Sequence, residues 1–562
     1  MAKSDTTIDD EPRSGDVFHF RERSTLMTLL LVLACTASVV VGNGSMAMVS
    51  ISMPIIARDL DIPQSRLQWL ASAYSLSSGC LLLLFGRVAD LYGRRRVWLV
   101  GTLWLAAFSL GCGFAPNDIA LDVLRGIAGM SMAATVPASL GILAHSFPPG
   151  RTRSFAMATF AAGAPLGAVV GWVVSAPLVQ YTERTWRSAF FLMTGLAILV
   201  FVLGLLSIDR DPPLSQKGSG DRTIDWVGAA LVTVGLILLS FSLAQGESAP
   251  QGWRTPYIIA LLVISPFFIA AFLTWEWYYE HRLGRTPLLR IGLWTRGHGT
   301  FAVVQAIAFF EFCAFTAWTF WTTLFYQQLL HKEPVQVMVR FLPMIITGVT
   351  LNVIVGLFVA HIPMVYLVVL GTGATAVACL LFAVINEHAS YWAFNFPAAI
   401  LSVFGADFVF ASGAIFVARV ALPGEQSVAG GLFQTLIQLG SAFGLAISTI
   451  AHDAGVRRAL HGREDAIIDG DLNTAPHDAQ LQGYRDGFWA CFAFAAFAMV
   501  LGALFLWRVG IVGDKNPTPT LTEEVVNEKE QPAQVPDMEQ ANASTPAITL
   551  DGTDGKGKEM SA

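Results

Sequence analysis

Fourteen apolar stretches, each about as long as a bilayer core is thick, constrain this chain more than any other feature. They lie near residues 26–53, 67–87, 97–115, 119–144, 154–180, 188–207, 225–245, 255–276, 299–322, 335–359, 363–385, 391–418, 427–450 and 486–508. A helix needs about 20 mainly apolar residues to span the hydrocarbon region. Inside lipid the backbone must satisfy its own hydrogen bonds, which a helix does unaided. The chain is therefore expected to be an all-α polytopic membrane protein with 14 transmembrane helices. Composition agrees, since 54% of the 562 residues are hydrophobic and 14% are charged, where soluble domains carry about 25% charge.

Nothing in the pattern points to an enzyme, a cofactor or a nucleic-acid surface. No basic stripe occurs, and no Gly-x-x-x-x-Gly-Lys-Ser/Thr segment supports a nucleotide-driven pump. The cysteines Cys35, Cys80, Cys112, Cys313, Cys379 and Cys491 all lie in apolar runs, with neither zinc spacing nor a disulfide framework. They read as small packing residues, and no metal is expected. A channel would need a filter-like loop or a ring of charge, and neither is visible. Secondary transport of a small molecule remains.

An even number of spans places both termini on one side, and basic residues choose the cytoplasm. The inner segments collect Arg13, Arg21, Arg23, Arg87, Arg94, Arg95, Arg96, Arg151, Arg153, Arg282, Arg285, Arg290 and Arg296, among others. The first apolar run is read as an uncleaved first helix. The longest outer loop is expected at 452–485. The expected organisation is a cytoplasmic tail over 1–25, a six-helix bundle over 26–207, and an inserted pair, helices 7 and 8, over 208–298. A second six-helix bundle over 299–510 and a disordered cytoplasmic tail over 511–562 complete it. Weak internal symmetry supports two halves: Gly86 and Gly101 are separated as Gly356 and Gly371 are.

Charges inside spans are costly and tend to face cavities or partners. Three stand out: Arg125 in span 4, Glu311 in span 9 and Asp407 in span 12. An apolar setting disfavours the charged form of a carboxyl group, which suits a group that cycles a proton. Glu311 and Asp407 are therefore the proton-coupling candidates; the alternative is that they are buried for helix–helix hydrogen bonding. Arg125 either holds substrate or pairs with Asp122 one turn away. Asn43 is a candidate cavity residue, or else satisfies a neighbouring helix. The aromatics Phe309, Phe310, Phe312, Phe315, Trp318, Phe320 and Trp321 suit a wall for flat organic substrates, with Phe312 and Phe315 as cavity candidates. The plainer reading of at least half of them is lipid-facing bulk and an interfacial belt at 318–326.

The segment Gly86–Arg96 reads as a tight charged loop, in which Gly86 allows close helix approach and Gly93 a turn. Its pattern Gly-x-x-Ala-Asp-x-x-Gly-x-Arg-Arg closely resembles the loop between the second and third helices of the major facilitator superfamily. The resemblance implies a conformational latch built from Gly86, Asp90, Gly93, Arg94 and Arg95, with Asp90 facing the start of span 13 near 424–428. Further stretches look like the fourteen-helix drug:proton antiporter branch, especially its fungal, aminotriazole-resistance-like members. They are Leu67-Gln68-Trp69-Leu70 in span 2, Trp186-Arg187 with Phe190 at span 6, and Asp225-Trp226-Val227-Gly228 at the inserted pair. Gly163, Pro165, Gly167 and Gly171 resemble the branch's antiporter motif, with the proline displaced by one position. Arg125-Gly126-Ile127-Ala128-Gly129 resembles an Arg-x-x-Gln-Gly motif in which Ala128 replaces Gln. Ser45 stands where many branch members carry an acid, which moves the expected proton coupling to the second half.

The resemblance implies a major facilitator fold whose helices 1, 4, 9 and 12 line a central cavity. It implies a proton-coupled exporter of small organic compounds acting in the plasma membrane, with a vacuolar location as the alternative. The partners expected are a small-molecule substrate, protons and the lipid bilayer, with no nucleic acid, and the protein is expected to act as a monomer. The competing readings are a proton-coupled importer of a nutrient or inorganic ion, and a sensor that does not transport.

Overall fold

The computed structural model describes residues 24–147, 151–210, 225–246, 249, 251–285, 287–289, 291–359, 361–421, 426–460 and 472–512. The expected terminal tails lie outside the described residues, apart from the short stretches that adjoin the first and last helices. The spanning helices are α1 (Thr25–Asp59), α2 (Gln64–Tyr92), α3 (Arg94–Gly113), α4 (Asp118–Ser146), α5 (Arg151–Tyr181), α6 (Trp186–Ser207), α7 (Trp226–Gln245) and α8 (Pro256–His281). They continue with α9 (Thr300–Leu324), α10 (Pro334–Phe358), α11 (Met364–Ala383), α12 (Asn395–Val420), α13 (Gln426–Ala459) and α14 (His477–Phe505). All fourteen are long and apolar enough to cross a membrane. Caps mark several starts: Ser24 accepts from the Met27 amide, Asn117 from Ala120 and Asp225 from Gly228. Each satisfies an amide that the first helical turn leaves open.

Two expected loops are largely helix. Gly86–Arg96 is not an open loop: α2 runs on to Tyr92, Gly93 alone breaks the chain at φ 112°, and α3 begins at Arg94. Only glycine adopts that φ without strain. The expected outer loop at 452–485 shrinks from both sides, because α13 continues to Ala459 and α14 starts at His477. Polar residues hid these ends from a hydropathy reading. They stay helical because their inner faces pack, with Val456 of α13 buried against Gly483 of α14.

Packing repeats between α1–α6 and α9–α14. α1 packs on α5 and α6, α2 on α4, and α3 on α4 and α6; α9 packs on α13 and α14, α10 on α12, and α11 on α12 and α14. The glycine pair flagged by symmetry follows this pattern, since Gly101 of α3 meets Ala134 and Thr135 of α4 while Gly371 of α11 meets Phe404 and Gly405 of α12. Two equivalent pairs, α2 with α13 and α5 with α10, join the halves. α7 and α8 pair with each other, and α7 leans on α2 and α13. The start of α1 and the finish of α14 share one end of the bundle, the tail end; the opposite end is the distal end.

Candidate functional site

A cavity of about 220 Å³ lies at the middle of the bundle, between the halves. Helical period sets its walls. α9 contributes Phe312, Phe315, Thr316, Thr319 and Phe320, and α12 contributes Val403, Ala406, Asp407 and Phe410. α1 supplies Asn43 and Ser50, α4 supplies Met132 and Val136, and α13 supplies Gln434, Gln438 and Ser441. The four helices expected from the resemblance all reach it. α5, α10 and α13 also line it, through Phe160, Pro165 and Trp172, through Met344 and Asn352, and through the two glutamines.

Among the described lining residues Asp407 is the only ionisable one. Its Oδ2 is buried without a hydrogen-bond partner among the described residues, 3.5 Å from where a Cβ on Gly348 would stand. Asn352, one turn from Gly348 on α10, lines the same cavity and donates its side-chain amide to Gly348 O at 2.9 Å. Aromatic faces and side-chain amides make up much of the remaining wall. Such a chamber can enclose a compact organic molecule and offer it one carboxyl group, several hydrogen-bonding groups and flat apolar contacts.

The other sequence candidates divide. Asn43, Phe312 and Phe315 line the cavity. Glu311 does not: it is fully buried, accepts from Thr375 Oγ1 of α11 at 2.7 Å, and lies where Gly405 of α12 leaves room. One residue is about 100° of helix, so position 311 sits off the stripe that begins at Phe312. Arg125 is also absent from the wall. Its Nε donates to Leu70 O at 3.1 Å and its Nη1 to Ser45 O at 3.0 Å, with the guanidinium 4.8 Å from the Tyr74 ring centre. It ties α4 to α1 and α2, and among the described residues makes no ion pair with Asp122, whose Oδ1 is buried without a hydrogen-bond partner there.

The motif glycines of α5 form a stripe against α1. A Cβ on Gly163, Gly167 or Gly171 would fall 2.5–3.0 Å from the carbonyl oxygens of Thr36, Val40 and Gly44. Small residues spaced four apart let helix backbones approach in this way. α13 repeats the device against α9, with Gly440 over Phe309 O and Gly444 over Cys313 O. Pro165 faces the cavity rather than α1.

At the tail end Arg94 donates to Asp90 Oδ1 at 2.7 and 3.0 Å and to Gly141 O at 3.0 Å, and also meets His145. Arg95 donates to Leu205 O of α6 at 2.9 Å. Gly86 approaches Pro137 of α4. The elements of the expected latch therefore bind α2, α3, α4 and α6 together. The expected partner residues 424 and 425 lie outside the described residues, while Gly431 further along α13 touches Leu82 and Leu83 of α2.

At the distal end the halves meet through Gln180 of α5, which donates to Glu333 at 2.6 Å and accepts from the Val335 amide at 3.0 Å. Gln327, in a π turn at Phe325–Leu329, donates to Ile51 O of α1 at 2.9 Å. Trp172 stacks on Phe341 of α10. The belt expected at 318–326 is interior: Trp318, Trp321, Phe325 and Tyr326 are all buried, packed with Phe341, Phe382 and Tyr484.

The comparisons agree with this arrangement. The model of the Major Facilitator Superfamily matches residues 33–445. The chain is 28% identical to MFS-type transporter 1 of Pyricularia oryzae over 83% of this chain and 81% of the relative. It is 29% identical to the low affinity ammonium transporter of Saccharomyces cerevisiae, with 79% and 81% covered. It is 30% identical to the puromycin resistance protein of Streptomyces alboniger, with 85% and 90% covered. The aminotriazole resistance protein of Saccharomyces cerevisiae is 24% identical, with 86% and 85% covered. In fold, it is similar to a bacterial homolog of the human lysosomal transporter Spinster in an inward-facing, unoccupied conformation, with TM-score 0.56, 14% identity, and 86% and 97% covered. Two packing repeats around a midplane cavity and a matched family model together establish that this chain, a transporter rather than an enzyme, belongs to the major facilitator superfamily.

Proposed function

We propose that the protein is a proton-coupled exporter of small organic compounds, working by alternating access around the central cavity. The observation that carries this reading is Asp407, the one ionisable side chain among the described lining residues, with an unpartnered Oδ2. A carboxyl group there can hold a proton while the cavity is empty and release it as cargo enters, or the reverse, because burial makes a lone negative charge costly. The aromatic wall accepts flat substrates. Relatives named for efflux and for resistance to puromycin and aminotriazole support export of such compounds.

Arg125 holds the α1–α2–α4 cluster in register rather than touching cargo. Glu311 serves as a second acid behind the cavity wall, and Asp90 with Arg94 latches the tail end. The protein sits in the plasma membrane as a monomer with both termini cytoplasmic, consistent with the basic residues at the tail end.

A relative named as an ammonium transporter favours one alternative, import of a small cation. The experiment is transport in sealed proteoliposomes of known orientation, loaded with candidate compounds and subjected to a proton gradient of either sign. Export driven by inward proton flow supports the proposal. Uptake in the same direction as the proton supports the importer, and transport indifferent to the gradient defeats both.

A further inference from the structure

A second buried ionisable cluster lies away from the cavity, near the distal end of α13. His452 Nδ1 sits 2.8 Å from Asp453 Oδ1, and both residues are buried, Asp453 completely. Asp453 Oδ2 has no hydrogen-bond partner among the described residues. The His452 ring stacks on Trp321 of α9 at 4.3 Å with 14° between planes, and Tyr484 of α14 meets it edge-on at 5.2 Å. Its Nε2 lies over Gly483, where a Cβ would stand 3.1 Å away.

This cluster connects to the contact that closes the distal end. Tyr484 donates its hydroxyl to Gln328 Oε1 at 3.0 Å. Gln328 belongs to the π turn, and its neighbour Gln327 holds Ile51 O of the other half. A π turn carries an extra residue per turn and is an adjustable point in a helix.

We propose that His452 and Asp453 form a proton-binding site distinct from Asp407, and that the proton it binds favours closure between Gln327 and Ile51. With the proton bound, an imidazolium donates from Nδ1 to the Asp453 carboxylate and lies flat on the Trp321 ring, a favourable face for a cation. The pair is then neutral as a whole. Without that proton the imidazole is neutral and a single carboxylate is left buried, which is costly in the closed, dry arrangement. Opening admits water and relieves that cost. The proton enters at Nε2 and leaves from it; no other bond changes.

Other ionisable groups surround the pair. α13 adds Arg457 and Arg458, and α14 adds Tyr484, Arg485 and Asp486. Asp486 pairs with Arg458 at 3.2 Å, and Arg485 donates to Ile385 O. On α9 and its π turn, Tyr326 is the only ionisable residue between Trp318 and Gln328.

The inference rests on the alternating-access reading but not on the identity of the cargo. Its test is modification of Ile51→Cys, a position buried in the closed form, by a membrane-impermeant maleimide in nanodiscs. Mass spectrometry of the peptide reads the rate, with the buried native cysteines as internal references. In the otherwise native chain the modification rate, divided at each pH by the rate of the same maleimide with N-acetylcysteine to remove the pH dependence of the thiolate itself, should fall as pH is lowered from about 8 to 5, by at most about tenfold per unit for one proton. His452→Gln and, independently, Asp453→Asn should flatten that profile, while Asp407→Asn should keep it. A rate flat with pH in the chain that retains His452 overturns the proposal without any further variant. A profile preserved in whichever of the two site variants folds overturns it as well. Loss of the profile in Asp407→Asn assigns the proton to the cavity and does the same. Failure of the transport assay with this profile intact separates the proposed cargo export from the proton site.

Discussion

Thr375 donates its hydroxyl to Glu311 at 2.7 Å, joining α11 to α9 behind the cavity wall. The bond gives this buried acid a packing partner, and Gly405 is the space it occupies. Gly405→Ala would place a methyl group on top of Glu311 Oε1. The expected cost is about 1–3 kcal/mol, typical of overpacking, read as a lower midpoint in thermal unfolding. Glu311→Gln keeps the acceptor and should restore neither the space nor much of that loss.

Asp407→Asn should abolish coupling while leaving the cavity intact. Gradient-driven transport is expected to fall about tenfold or more, whereas exchange of labelled for unlabelled substrate without a gradient continues. The measurement is the ratio of the two rates in the same vesicles. An equal fall in both would assign Asp407 to substrate binding alone.

The facing glycines of α5 and α1 predict a steric effect graded by size. Gly167→Ala places a Cβ 2.5 Å from Val40 O and Gly171→Ala one 2.6 Å from Gly44 O. Either should lower thermal stability and slow transport, and valine at the same positions should do more. On α5, Ala164 faces the cavity instead, so substitution of Ala164 by Ser should alter substrate preference with little change in unfolding temperature.

Asp90→Asn removes the anion that Arg94 grips at two distances under 3.1 Å. Turnover should fall severalfold at nearly unchanged substrate KM, measured as initial rates over a substrate series. Arg94→Lys should not rescue it fully, because lysine lacks the planar fork that spans Asp90 and Gly141 at once.

Weakening the distal contact should shift the resting conformation. Gln180→Leu removes both the donor to Glu333 and the acceptor for Val335. Spin labels on the two halves near that end should report a longer mean separation in the variant, and substrate binding from the distal side should strengthen.

Spans and their count were readable because a membrane leaves hydrophobic length as the main constraint on a helix. Asp407 was readable for a related reason: an acid deep in an apolar run needs a partner or a cavity. Glu311 shows the limit of that reasoning, since it lies behind the cavity wall with Thr375 on Oε1, while its Oε2 is buried without a partner among the described residues. Its position one residue before the 312, 315, 316, 319 stripe was available in the helical period. His452 was hidden because polar neighbours made the end of α13 look like loop. Gln327 was hidden because its partner, Ile51 O, is a backbone group nearly 280 positions away.

The break at Gly93 sets Arg94 against Asp90 at the tail end of the first half; the corresponding turn after Gly356, at the same end of the second half, has no such charged set in its sequence. The first half is thus braced by charge at its tail end, whereas the halves meet at the distal end through hydrogen bonds such as that from Gln327 to Ile51 O. Dissolved ions screen interactions between partly exposed charges far more than they weaken amide hydrogen bonds in a buried seam. Ionic strength on the tail side should therefore tune how firmly α2, α3 and α4 are braced there, while the same salt on the other face leaves the Gln327 contact nearly untouched, so that the two ends answer differently to the solution each one meets.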